Sequence, residues 1–273
     1  MLQNNSGKDL YGYQKNAIEE IFQRFDSAAD DYHLLYQLPT GGGKTVIFSE
    51  IVRRYITKYK KKVLVLTHRI ELSKQTSNML DEFGVCNKII NSTANLDDQD
   101  NYNCFVAMVE TLKNRLTDDK LDISDIGLVI VDEAHYNSFT KIFKFFDQSF
   151  ILGVTATPLS SNIKLPMYEN YQELFVGETI EHLIEHHFLA SANMFSYNVG
   201  LTSLEVGANG DYTVKSSEDL YTNVDMLSKL VGAYEETSKG KKTLIFNNGI
   251  HTSIQVYHAF KKAGYPIAHL DNT

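Results

Sequence analysis

Two short strings in this sequence hold residue types at a spacing that could do chemistry. One is Gly41-Gly-Gly-Lys-Thr45, and the other is the adjacent carboxylate pair Asp132 and Glu133 after the apolar run Val129-Ile-Val131. Glycine weakens regular structure, so Gly41, Gly42 and Gly43 together predict a loop that bends sharply or lets a guest approach its N–H groups. Before the loop, Tyr32 to Leu38 is a mostly apolar run of strand length; after it, Val46 to Tyr59 has helical length and spacing. A strand, a glycine loop and a helix N-terminus bring free N–H groups and the positive dipole end together. Lys44 and the Thr45 hydroxyl add what phosphate and magnesium require. Leu38 stands where the pattern G-x-x-x-x-G-K-[ST] has its first glycine, and the string alone also fits a flexible turn with a chance Lys-Thr. The acids have a matching use: Asp132 can hold a metal through water while Glu133 polarises an attacking water. Adjacent acids at a strand end also fit a solvated turn; their pairing with the upstream glycine loop favours the site.

The elements that must position these groups alternate. Strand-length runs precede helical spacing at Lys62 to Thr67 then Ile70 to Phe83, at Cys104 to Met108 then Glu110 to Leu116, and at Leu128 to Val131 then Phe139 to Phe146. Ile151 to Thr155 adds another strand. This order predicts an α/β fold, a parallel sheet covered by helices on both faces, with ligands at the strand C-terminal ends. From Ala190 the character changes. Phe195 to Val199 reads as a strand and Asn209-Gly-Asp211 as a turn; Lys242 to Phe246, His251 to Ala263 and Pro266 to Leu270 then read as strand, helix and strand.

Composition narrows the classes. A chain of 273 residues with a formal net charge of -8 does not coat nucleic acid by bulk attraction. Its densest basic run, Lys58-Tyr-Lys-Lys-Lys62, falls at a helix end, where cations suit the dipole. No apolar stretch approaches a membrane span, and Met1 to Asn5 lacks the regions of a secretory signal, so a cytoplasmic location without membrane partners is expected. Cys86 and Cys104 stand in unrelated contexts, which predicts neither a disulfide nor a metal site. His182-Leu-Ile-Glu-His186 matches the inverted zinc-peptidase pattern H-x-x-E-H, but Glu181, Glu185 and His187 make it read as a polar helix flank.

Taken in order, these strings resemble the motifs of superfamily 2 helicases and translocases, nearest the branch of restriction-enzyme motor subunits and DNA-repair helicases. Leu10-Tyr-Gly-Tyr-Gln14 is similar to the adenine-reading segment, with Tyr11 where the family has arginine; Leu38 to Thr45 resembles motif I. Leu64-Val-Leu-Thr-His-Arg69 with Leu72 and Gln75 resembles motif Ia, and Val106 to Leu112 motif Ib. Asp132-Glu-Ala-His135 is the DEAH form of motif II, Gly153-Val-Thr-Ala-Thr-Pro158 resembles motif III, and Thr243 to Asn248 motif IV. The arginine often seen after motif III is replaced by Leu159-Ser-Ser-Asn162.

The resemblance implies a RecA-like P-loop domain over residues 1–189 and the incomplete start of a second RecA-like domain over 190–273, whose remaining half would be a partner segment in a longer protein. It implies ATP and Mg2+ as cofactors, with Gln14 as the base contact and Gly41, Gly42, Gly43, Lys44 and Thr45 around the phosphates. Thr45 and Asp132 would hold the metal, and Glu133, Asp132 and Lys44 would be catalytic. His135, Thr155 and Thr157 would couple the nucleotide site to the strand surface, and Thr67, Arg69 and Thr111 would contact a nucleic-acid backbone. The expected function is an ATP-dependent helicase or translocase acting on nucleic acid, DNA before RNA. The alternative is a P-loop ATPase that remodels another kind of partner. Nothing in the sequence names a nuclease or repair subunit as partner.

Overall fold

The computed structural model describes residues 9–28, 31–91, 93, 98–117, 124–136, 139–160, 165–207 and 210–271. Met1 to Asn5, Asn162 after motif III, Asn209 of the expected turn, and the last two residues lie outside them. The chain divides into two compact units, Met1–Ala192 and Asn193–Thr273.

The first unit is built on a parallel sheet. Its strands are β1 (His33–Gln37), β2 (Lys62–Thr67), β3 (Asn87–Ile90), β4 (Cys104–Met108), β5 (Ile126–Asp132), β6 (Phe150–Thr155) and β7 (Glu173–Val176). They lie side by side in the order β3-β4-β2-β5-β6-β1-β7. Around them run α1 (Gly12–Ser27), α2 (Lys44–Tyr59), α3 (Ile70–Glu82), α4 (Val109–Thr117), α5 (Thr140–Phe143) and α6 (Ile180–Glu185). Successive strand residues point to opposite faces. Leu34, Tyr36, Val63, Val65, Ile130 and Leu152 pack under α1, α2 and α3 with Ile18, Ile21, Phe48, Ile51 and Leu80. Leu35, Leu64, Leu66, Val129, Val131 and Ile151 face the other way, toward Leu112 of α4 and Ile142 of α5. Covering both faces is why the central strands read as unbroken apolar runs.

Differences from expectation fall at the sheet edges and after β5. β3 and β7, not expected from the sequence, are the sheet edges: β7 alternates half-buried and exposed residues, with Leu174 and Val176 exposed. The helix expected over Phe139 to Phe146 is α-helical only at Thr140–Phe143; three-residue turn bonds, Phe145 N–H to Ile142 O at 3.0 Å and Phe146 N–H to Phe143 O at 2.9 Å, tighten the chain after it.

The second unit contains α7 (Val214–Tyr221), α8 (Val224–Thr237) and α9 (Ile250–Lys262). α9 matches the expected helix within one residue at each end and buries Thr252, Val256 and Phe260. Tyr234 of α8 packs on Phe260 at 5.3 Å and on Tyr265 at 5.0 Å between ring centroids. The three strands expected here, Phe195 to Val199, Lys242 to Phe246 and Pro266 to Leu270, are not formed; among the described residues the only pairing outside the seven-stranded sheet is the bridge of Val206 with Tyr212. A strand exists only through its partner's N–H and C=O groups, and without one the apolar side chains of Leu244, Phe246 and Leu270 stay exposed.

Candidate active site

The carboxyl ends of β1, β6 and β5 are neighbours, so the glycine loop, the Thr155 string and the acid pair meet along one edge of the sheet. Gly41 and Gly43 adopt left-handed backbone angles, φ 86° and 85°, that side chains with a Cβ disfavour. Space is short as well: a Cβ on Gly43 would stand 2.5 Å from Gln14 Nε2, and one on Gly41 2.6 Å from Leu189 Cδ2. Gly43 is the last residue before α2, so the loop delivers its N–H groups at that helix's N-terminus.

The loop is held from outside. The Tyr13 hydroxyl donates to Gly42 O at 2.8 Å and Gln14 Nε2 to the same oxygen at 3.4 Å. Gln14 Oε1 accepts from Tyr11 N–H at 3.0 Å. Gln14, expected to read the base, is therefore buried with its amide engaged at both ends. Beyond α6, Phe188 packs against Tyr11 and Tyr13 at 4.6 and 5.1 Å, and Leu189 covers Gly41. No local sequence pattern announces this contribution, because nothing marks a segment so distant in the chain as a wall of the loop. Lys44 Nζ donates to Leu38 O at 3.4 Å, and Leu38 N–H donates to Thr155 O at 3.0 Å, which ties the loop to β6. Thr45 follows in the first turn of α2.

Asp132 ends β5 and is buried. Burial first, and Glu133 second, push its carboxyl up to about 6, against the opposing pull of the Glu133 N–H and the Lys44 charge. Glu133 has φ 52°, a left-handed conformation held by its surroundings. Its N–H donates to Asp132 Oδ1 at 3.0 Å, and Ala134 N–H to Val154 O at 3.0 Å.

His135 Nδ1 lies 3.0 Å from Thr155 Oγ1 and 3.3 Å from Glu133 Oε2. The Thr155 hydroxyl donates to Thr157 O at 3.1 Å and accepts from Thr157 N–H at 3.1 Å. Its one hydrogen being used, and a carboxylate being an acceptor only, both neighbours call for a proton on His135 Nδ1. Thr155 is fully buried and Thr157 exposed, so this string runs from the interior to the surface.

The residues expected to face a nucleic-acid backbone differ among themselves. Arg69 is exposed at the start of α3, and Thr111 is half-buried on α4. Thr67 has no exposed surface; its hydroxyl pairs with Ser73 Oγ at 2.6 Å and lies 3.4 Å from Arg69 O, so it braces the loop from within. The basic run after α2 is taken up locally: Lys58 pairs with Asp26 at 2.6 Å, and Lys60 caps the helix in a left-handed conformation. In the H-x-x-E-H segment, the His182 and His186 rings stack at 4.0 Å and His182 Nε2 is 3.6 Å from Glu178. No group of three or more His, Cys, Asp or Glu side chains that could hold a metal ion occurs among the described residues.

A parallel sheet whose carboxyl edge carries a glycine loop, a lysine and two acids defines a P-loop nucleotide-binding domain of the RecA-like kind. The sequence profile of the family described as "Type III restriction enzyme, res subunit" matches residues 7–160, and the chain belongs to that family, within superfamily 2 of helicases and translocases. It is 28% identical over 241 residues to the "51.5 kDa protein" of Lactococcus phage (isolate 7-9), covering 87% of this chain and 48% of the phage protein. It is 32% identical over 164 residues to the "Putative ATP-dependent helicase IRC3" of Saccharomyces cerevisiae, covering 54% of this chain and 23% of the yeast protein. The fold is similar to that of the ATP-dependent Type ISP restriction-modification enzyme LlaBIII bound to DNA, with a TM-score of 0.61 and 17% identity over 94% of this chain and 21% of that one. The chain thus spans about half the length of the phage relative and less than a quarter of the yeast one.

Proposed function

We propose that this chain is the nucleotide-binding N-terminal part of an ATP-driven helicase or translocase that moves on nucleic acid, DNA in preference to RNA. The observation that carries the proposal is the convergence of Lys44, Asp132, Glu133 and the His135–Thr155 pair on one sheet edge, with the exposed Arg69 on the loop after β2. The donor set fits a magnesium nucleotide. The glycine cradle takes left-handed backbone at Gly41 and Gly43 that a Cβ disfavours, and Asp132 is a buried carboxyl on which the Lys44 charge acts. Thr45 and Asp132 would hold Mg2+, which when bound neutralises charge on the transferred phosphoryl group. The N–H groups of Gly41, Gly43 and Lys44 would bind phosphate, while that of Gly42 closes the loop on Pro39 O at 3.0 Å, and Lys44 would neutralise the β and γ groups. Tyr13 and Gln14 hold the Gly42 carbonyl, and the base would contact the same segment. Glu133 orients the attacking water and accepts its proton. His135, Thr155 and Thr157 connect that turn to the surface, and Arg69 and Thr111 touch the strand backbone. We further propose a division into residues 1–189 as the ATP-binding domain and 190–273 as the start of a second, and a cytoplasmic location.

The whole protein, titrated with short single- and double-stranded DNA and RNA at rising salt, tests this reading. Binding should weaken with salt, weaken further in Arg69→Ala, and favour DNA. Failure to bind any nucleic acid at low salt would overturn it.

A further inference from the structure

β2 lies beside β5 in the sheet, so the loop that carries Arg69 and the turn that carries Glu133 leave the sheet as neighbours. One aromatic contact bridges them, and a second continues it along the turn after β5. The His68 ring lies 4.4 Å from that of Tyr136 at 31°, and Tyr136 lies 4.3 Å from His135 at 37°. His135 in turn contacts Glu133 and Thr155 through Nδ1. A continuous row of side chains therefore runs from the residue beside Arg69 to the residue beside the acid pair.

We propose that the His68–Tyr136 stack is a positioning relay: it transmits occupancy of the Arg69 surface to Glu133, setting the water-orienting carboxylate only when a strand is engaged. The inference rests on the motor reading above and assigns to His68 and Tyr136 a role that the motif resemblance does not. Four features support it. His68 Nδ1 is shut away from solvent with no hydrogen-bond partner, and the ring packs on Tyr136. Burial and the adjacent Arg69 charge lower the His68 pKa, which favours the neutral, stacking form. At the far end, Glu133 holds a left-handed backbone that its neighbours must maintain, and Tyr136 N–H closes that turn on Glu133 O at 3.1 Å. At the near end, Ser73 Oγ and Thr67 Oγ1 both reach Arg69 O, at 3.3 and 3.4 Å, so the backbone on either side of His68 is tied to α3.

The test is ATP turnover by the whole protein, with and without saturating DNA or RNA, in His68→Ala, Tyr136→Leu, their double variant and His68→Phe. His68→Ala and Tyr136→Leu should keep nucleotide affinity, strand affinity and unstimulated turnover while losing roughly fivefold or more of the stimulation, the scale of ordinary site-to-site coupling. The double variant should lose no more than either single one, because both break the same link. His68→Phe, which keeps the stack and lacks the ring nitrogens, should restore stimulation. Full stimulation in His68→Ala, or equal losses of basal and stimulated turnover, would overturn the relay and leave the motor reading standing. A wild-type protein that turns over ATP with no response to any nucleic acid would overturn the motor reading and the relay with it.

Discussion

The His135 imidazole and the Thr155 hydroxyl meet at 3.0 Å across adjacent strand ends, and the same imidazole nitrogen stands 3.3 Å from Glu133. Both contacts fall on one ring nitrogen, so the acid pair after β5 and the string after β6 are geometrically a single unit. Substitutions on one side should be felt on the other.

Glu133→Gln should retain nucleotide and lose hydrolysis in the whole protein. The amide keeps the side chain's size but cannot take a proton, and on the proposed assignment the metal would remain with Asp132. Equilibrium binding of labelled nucleotide and single-turnover phosphate release separate the two effects. Wild-type turnover in this variant would remove Glu133 from the chemistry.

Asp132 gives a stability prediction of opposite sign to its functional one. A carboxyl raised in the folded state contributes stability that is fully present below its unfolded value and is lost as pH rises through the folded one. Here the window runs from 3.8 to about 6. At neutral pH the ionised group therefore costs the nucleotide-free chain roughly 3 kcal/mol, at about 1.4 kcal/mol per pH unit of displacement. Asp132→Asn should raise the unfolding midpoint near neutrality, flatten the pH dependence across that window, and abolish the extra stability conferred by Mg-ATP. Thermal melts with and without nucleotide across that pH range are the measurement; an Asn variant destabilised at neutral pH would contradict the assigned cost.

Much of this is legible in the sequence, for a physical reason. β2 and β4 lie inside the sheet with both faces covered, so their residues are mostly apolar and their bounds coincide with the expected ones. The glycine loop is legible because only glycine fits at Gly41 and Gly43. The edges β3 and β7 are short, four residues each, and only partly buried, which leaves a weak trace. Leu189 over Gly41, Tyr13 on the Gly42 carbonyl and His68 on Tyr136 join residues far apart in the chain and leave no periodic trace. Thr67 reads as a surface contact from its place in motif Ia, whereas its burial depends on Ser73 one helical turn into α3. The strands expected in the second unit have the right local composition and no pairing partner, which composition does not record.

Arginine content makes a further prediction. Beyond Arg115 the sequence contains no arginine, so residues 193–273 can supply none to the phosphates. Superfamily 2 motors, which this chain resembles, complete their site with such residues, typically worth ~10³ to 10⁵ in rate. These 273 residues alone should bind nucleotide and release phosphate at close to background, with or without nucleic acid. Robust stimulated turnover by the isolated chain would show that no further arginine is needed.

The most direct measurement is steady-state ATP turnover by the whole protein with single-stranded DNA, double-stranded DNA or RNA, set beside Lys44→Ala. The account predicts turnover that nucleic acid stimulates, DNA more than RNA, and that disappears along with nucleotide binding when the Lys44 charge is removed. Turnover indifferent to every nucleic acid, or stimulated turnover that survives Lys44→Ala, would contradict it.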